Sequence, residues 1–299
     1  MHRFIIILTI LTLAITACGG QSASPSGISD SVILTSTSFL ADITRNIAGD
    51  RQTVATLLPL GADPHSYQPT PQDVTNITQS KVLIINGADY EHFLEPILEN
   101  AGGEREVVEA SAGITPREDA SGEHGVDPHM WLDPNNVIVY VENIREALTH
   151  FDPEGAAVYQ ANADAYVEQL KGLDIWINEQ VAQISPERKL LITNHEALGY
   201  FAARYGFTIA GTVIESFSTD ASPSAQQMAA LIDQIKASGA PAIFLDAADN
   251  TTFAQQIADE TGVRVVTDLH LESLTDGAPA ATYIDMMKNN VTQIVNALK

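Results

Sequence analysis

Cysteine is nearly absent: the 299-residue chain has one, Cys18. That excludes a disulfide framework, and it leaves no thiol in the body of the chain for nucleophilic catalysis or a cysteine zinc site. A metal site would have to use histidine and carboxylate. Basic residues are also scarce, with 15 Lys and Arg against 38 Asp and Glu and a formal net charge of −23. Such a surface is a poor match for nucleic acid or anionic headgroups. It attracts cations weakly and without selectivity, and serves solubility first. There is no His-Glu-x-x-His stretch and no Gly-x-Ser-x-Gly elbow, which counts against a zinc hydrolase or a serine hydrolase. No aromatic box or arginine clamp suggests an organic ligand.

What is present begins with a leader. Met1-His2-Arg3 is followed by an apolar run over 4–15, too short to span a bilayer comfortably. Ile15-Thr16-Ala17-Cys18-Gly19 then reads as a lipobox. The expectation is a signal peptide over 1–17, lipidation of Cys18, and a flexible Gly/Ser/Pro tether completing 18–30. The chain is therefore expected outside the cytoplasmic membrane, anchored to it by lipid, on the periplasmic side where an outer membrane exists.

Beyond the tether, hydrophobic content of 45% marks a globular protein. Strand patterns at 32–34, 52–58, 81–86 and 106–109 alternate with helix patterns at 39–48, 71–80 and 91–101. A polar loop fills 110–126, and a helix follows over 135–149. Then Tyr159, Tyr166, Leu170, Leu173, Ile177, Val181 and Ile184 form one apolar stripe, the mark of a long amphipathic helix. The alternation resumes with strands at 189–193, 207–214, 242–246 and 263–267 and helices at 196–205, 222–238, 251–261 and 280–298. The predicted fold is α/β: two βα lobes with parallel central sheets, an N-terminal lobe over 31–150 and a C-terminal lobe over 186–299, joined by an interlobe helix over 151–185.

Ligand-type residues stand where this architecture places binding sites, beyond the carboxyl ends of strands. His65, His195 and Asp268 each follow a predicted strand. His129 lies in Asp127-Pro128-His129-Met130-Trp131-Leu132-Asp133-Pro134, a loop stiffened by two Asp-Pro pairs. Singly, each has an ordinary reading as a surface or capping residue. Together, three histidines and one carboxylate suit the tetrahedral, borderline-soft Zn²⁺ ion. Asp127 and Asp133 are expected to make a turn and cap a helix. His92 and His150 are expected in helices, exposed or capping; His124 and His270 are candidates for transient contact only.

These motifs resemble a known family. Gly61-Ala62-Asp63-Pro64-His65-Ser66-Tyr67-Gln68-Pro69-Thr70-Pro71 is similar to the first-ligand loop of the zinc/manganese-binding lipoproteins of ABC importers, cluster A-I. Asp127–Pro134 resembles their second-ligand motif, and Asp152-Pro153 with Tyr159, Asn162, Tyr166 and Leu170 their interlobe helix. Thr193-Asn194-His195-Glu196-Ala197-Leu198-Gly199-Tyr200-Phe201 resembles the third-ligand motif. Val266-Thr267-Asp268, with Tyr283 and Met287-Lys288-Asn289-Asn290, resembles the fourth-ligand region and final helix. The resemblance implies a solute-binding protein and not an enzyme, with ligands His65, His129, His195 and Asp268, that hands a divalent metal to an ABC permease. Histidine at the third position favours Zn²⁺, with Mn²⁺ or iron the alternative. The expected partners are the ion, the permease and the membrane through the lipid anchor; no nucleic acid is expected, and the chain is expected to be a monomer. Cell adhesion, a role sometimes attributed to the family, would not require the ligand set. Many zinc members carry a long His- and acid-rich loop before the second motif; here 110–126 has only His124 among several acids, a departure from that pattern.

Overall fold

A computed structural model of the chain describes residues 33–118 and 125–299. The expected leader, Cys18, the tether and His124 lie outside the described residues. The first sheet contains β1 (Ile33–Thr35), β2 (Val54–Thr56), β3 (Val82–Ile85) and β4 (Glu106–Glu109), with α1 (Ser38–Ala48), α2 (Pro71–Gln79) and α3 (Glu95–Asn100) between them. Its strands are parallel in the order β2-β1-β3-β4. A short antiparallel ribbon follows, β5 (Arg117–Glu118) against β6 (Val126–Asp127). Next come α4 (Pro134–Phe151) and α5 (Ala156–Val181). The second sheet contains β7 (Leu190–Thr193), β8 (Thr208–Thr212), β9 (Ala242–Asp246) and β10 (Arg264–Leu269), parallel in the order β10-β9-β7-β8. Its helices are α6 (Gly199–Tyr205), α7 (Ala225–Ser238), α8 (Thr252–Thr261) and the closing α9 (Tyr283–Leu298).

The inner strands β1, β3, β7 and β9 are buried on both faces because helices cover both, and alternate side chains enter different cores. Ile33, Val82 and Ile84 face the centre of the molecule, whereas Leu34 and Leu83 pack outward with Leu57, Ile77 and Leu94. In the second sheet Leu191, Ala242, Phe244 and Val266 face the centre. Ile192, Ile243 and Leu245 pack outward with Leu231 and Ile257. The central core is continuous: it also takes in α1, α4, α5 and α9, so both sheets rest on one apolar body.

The expected stripe of α5 is buried as read, from Tyr159 through Val181. At 26 residues the helix is ~39 Å long. It stops at Val181, before the Ser185-Pro186 break, so Ile184 is buried from the following turn. Four helices, α3, α6, α7 and α9, begin three or four residues later than their patterns suggest, and two of these shifts bear on histidines. α3 starts at Glu95, leaving His92 exposed on the preceding turn. α6 starts at Gly199 because 195–198 are committed elsewhere: Ala197 N–H donates to the His195 carbonyl (2.9 Å) and Glu196 N–H to that of Ser216 (2.9 Å).

Candidate metal centre

Three imidazoles converge on one carboxylate in the cleft between the sheets. Glu272 Oε1 lies 2.9 Å from His65 Nε2, 3.2 Å from His195 Nε2 and 3.3 Å from His129 Nε2. His129 Nε2 and His195 Nε2 are 3.3 Å apart. One ligand atom from each of the four residues lies within 4.8 Å of every other. A tetrahedral ion with bonds of ~2.0–2.1 Å has ligand–ligand edges of about 3.3 Å, so the cluster has the dimensions coordination needs.

Each side chain is delivered by a loop whose conformation is fixed by local bonds. His65 follows β2 on a turn opened by Gly61, whose φ of 75° favours glycine. Its backbone N–H donates to Asp63 Oδ1 (2.9 Å). His129 is fully buried, and both its backbone N–H (3.0 Å) and Nδ1 (2.9 Å) meet Asp127 Oδ1. Asp133 caps α4, accepting from Asn135 N–H at 2.9 Å. Asp127 thus makes the expected turn and also orients the imidazole. His195 leaves β7 on a turn closed by Thr193 Oγ1, which donates to the His195 carbonyl at 2.7 Å. The loop carrying Glu272 is tied to both lobes: Leu271 N–H donates to Asp246, and the Leu271 carbonyl accepts from Trp131 Nε1 at 2.7 Å.

The fourth expected ligand, Asp268, is not in the cluster. β10 does not end before it but runs through to Leu269, with a register shift between Val266 and Leu269 against β9. Asp268 is left exposed on the strand, its carbonyl accepting from Asn289. The chain reaches the cleft only beyond the strand, at Glu272. Sequence reasoning missed Glu272, though it carried a signal: a lone acid between Leu271 and Leu274, in a segment too apolar for a solvent loop. His270 is not in the cluster either; its backbone is clamped at both polar atoms by the Asn290 side chain (2.8 and 2.6 Å). His150 is exposed on α4 and pairs with Glu106 at 2.9 Å.

The cluster is electrostatically coupled. Burial disfavours charge on His129, but its bonds to Asp127 and then Glu272 outweigh this and raise its pKa to about 9. Burial would push Glu272 up, yet the three facing imidazoles, His65 foremost, hold it well below the usual carboxylate range. Behind the loop, burial raises Asp246 to about 7, with the Glu272 charge adding to the effect. Tyr90 stands edge-on to His65 (5.4 Å) and Trp131 (4.9 Å), closing the inner side with aromatic surface.

Residues 33–297 match the family of the zinc-uptake complex component A, periplasmic. The chain belongs to this family. Membership makes it a metal-binding solute-binding component of an ABC importer and not an enzyme. It is 34% identical to the manganese-binding lipoprotein MntA of Halalkalibacterium halodurans over 299 residues, 99% of this chain and 98% of the relative. It is 32% identical to the iron-binding protein YfeA of Yersinia pestis, over 88% of this chain and 84% of that protein. Among solved structures, the Mn-bound periplasmic metal binding protein of Candidatus Liberibacter asiaticus superposes with a TM-score of 0.81 at 31% identity, covering 90% of this chain and all of the other. The two-sheet architecture and long helix are those expected of the family.

Proposed function

We propose that the chain captures a divalent transition metal outside the cytoplasmic membrane through His65, His129, His195 and Glu272, and presents it to an ABC permease, with Mn²⁺ as cargo. The convergence of three imidazole nitrogens and one carboxylate oxygen in a buried cleft carries the metal assignment. Similarity to MntA and to the Mn-bound structure supports manganese. A second reading, Zn²⁺, is favoured by the donor set itself, since three imidazoles suit zinc better than manganese. Selectivity in the cell follows metal supply and geometry as well as affinity. Lipidation at Cys18 would hold the protein at the membrane, and a monomer suffices because one chain supplies every ligand.

In this reading Asp127 orients His129, Glu272 balances the ion's charge, and Trp131 and Tyr90 keep water from the inner side. The lobes share one core, so capture closes the loops at the cleft mouth more than it swings the lobes. Metal analysis of the purified protein, followed by Mn²⁺ and Zn²⁺ competition titrations, tests the proposal. One tight site that is lost in His129→Ala is expected. An unchanged affinity in that variant would overturn the site, and zinc retained against excess manganese would select the second reading.

A further inference from the structure

We propose that Gly199, at the start of α6, is a positioning residue for metal capture that acts on His129 through Asp127; this rests on the metal-binding reading above. The two oxygens of Asp127 have different neighbours. Oδ1 receives both the backbone N–H and the Nδ1 of His129, at 3.0 and 2.9 Å. An ionised carboxylate only accepts, so Nδ1 carries the hydrogen and the Nε2 lone pair is left for the ion. Oδ2 lies where a side chain on residue 199 would begin: a Cβ there would stand 2.6 Å from Oδ2 and 3.3 Å from Arg117 Nε.

Conformation does not explain the glycine. Gly199 is in a helix and not in the left-handed region, and alanine is the better helix former. Space does explain it. Asp127 is 2% exposed and cannot swing into solvent. Its backbone is fixed in β6 opposite Arg117, and its carbonyl accepts from the Tyr200 hydroxyl at 3.0 Å. The same hydroxyl accepts from Arg117 N–H at 2.9 Å. The motion left to the carboxylate is a rotation that withdraws Oδ1 from His129. Residue 199 is four positions after His195, so one segment of the second lobe supplies the third ligand and sets the ring of the second.

A double-mutant cycle on metal affinity tests this, using Mn²⁺ and Zn²⁺ with a competing chelator on the full protein. Asp127→Ala and Gly199→Ala should each weaken binding about 10–100-fold, the loss typical of a second-shell partner. Combined, they should weaken it little beyond Asp127→Ala alone, because both remove the same bond. ¹⁵N-histidine spectra of the Zn²⁺-loaded protein should show His129 carrying its hydrogen at Nδ1, bonded to Asp127, in the natural protein and losing that bond in Gly199→Ala, an effect general destabilisation would not produce. Losses that multiply, or a Gly199→Ala affinity within twofold of the natural protein, would overturn the proposal. Should Gly199→Ala not fold, Tyr200→Phe carries the test: a disordered His129 tautomer with weakened binding supports the clamp, and unchanged values overturn it. Metal binding lost in His129→Ala but intact in Gly199→Ala would defeat this inference alone. Binding indifferent to His129→Ala would defeat the metal reading beneath it.

Discussion

The floor of the cleft and its mouth are held by different forces. On the floor, Trp131 is fully buried, stacked on Phe39 at 4.5 Å, and its carbonyl accepts from the Tyr283 hydroxyl at 2.7 Å. Residues from both lobes meet there in one apolar body that cannot part without exposing it. At the mouth the lobes touch through small polar groups. Thr219 Oγ1 donates to Asp63 Oδ2 (2.7 Å) and Gly61 N–H to Ser273 Oγ (2.8 Å). Water can replace such bonds at a net cost of about 0.5–1.5 kcal/mol each. The contrast locates motion: the mouth can open while the floor stays shut.

The largest test of that contrast is Trp131→Ala, which should cost about 3–5 kcal/mol in denaturant unfolding, as for a buried aromatic in a shared core. A loss below about 1 kcal/mol would mean the floor is not the structural centre. Next, Glu272→Ala should reduce metal affinity by more than the ~10–100-fold expected for a second-shell change. Asp268→Ala should leave it unchanged, and the reverse order would restore Asp268 as the ligand. The pH dependence is of intermediate size. His129 has a pKa of about 9 in the metal-free protein, so below pH 9 one proton must leave as an ion binds. Affinity should then fall about tenfold per pH unit on acidification below 9, and a flat titration between pH 7 and 8.5 would contradict this. The linked effect on the metal-free fold has the opposite sense. The raised pKa stabilises it fully below the unfolded histidine value of about 6.5, and that contribution is lost as pH rises through 9. Smallest is Thr219→Val at the mouth, which should change stability by less than about 1 kcal/mol but speed metal release in stopped-flow chelation. An unaltered release rate would remove Asp63–Thr219 from the opening motion.

Three of the four converging side chains were legible in the sequence because each sits in a motif with its own punctuation: Gly61 and Pro64 before His65, Pro128 beside His129, a buried strand before His195. The fourth was not, because nothing in Val266-Thr267-Asp268-Leu269 announces a register shift. A plain strand ending at Thr267 would have put Asp268 at the cleft; the irregular one carries the chain four residues further to Glu272. The fold was readable from alternation and from the α5 stripe, since burial on both faces leaves continuous apolar runs. What linear spacing could not give was the second role of Asp127. Its turn is local, but the opening for its outer oxygen is made by Gly199, seventy-two positions away.

The common core has a consequence for how this molecule can be taken apart. Its halves look like repeated units, each with a four-stranded sheet and its own outer cluster, yet neither is a module. A fragment ending before α5 would keep α1 and α4 on the inward faces of β1 and β3 but lose α5, against which those two helices pack, and a fragment beginning after α5 would keep α9 on β9 and β10 but lose α5 from its other side. Chimeras that exchange one half between relatives must therefore match across the α4–α5–α9 seam, residue against residue. Recombination is more permissive in the outer clusters, where each half answers only to itself.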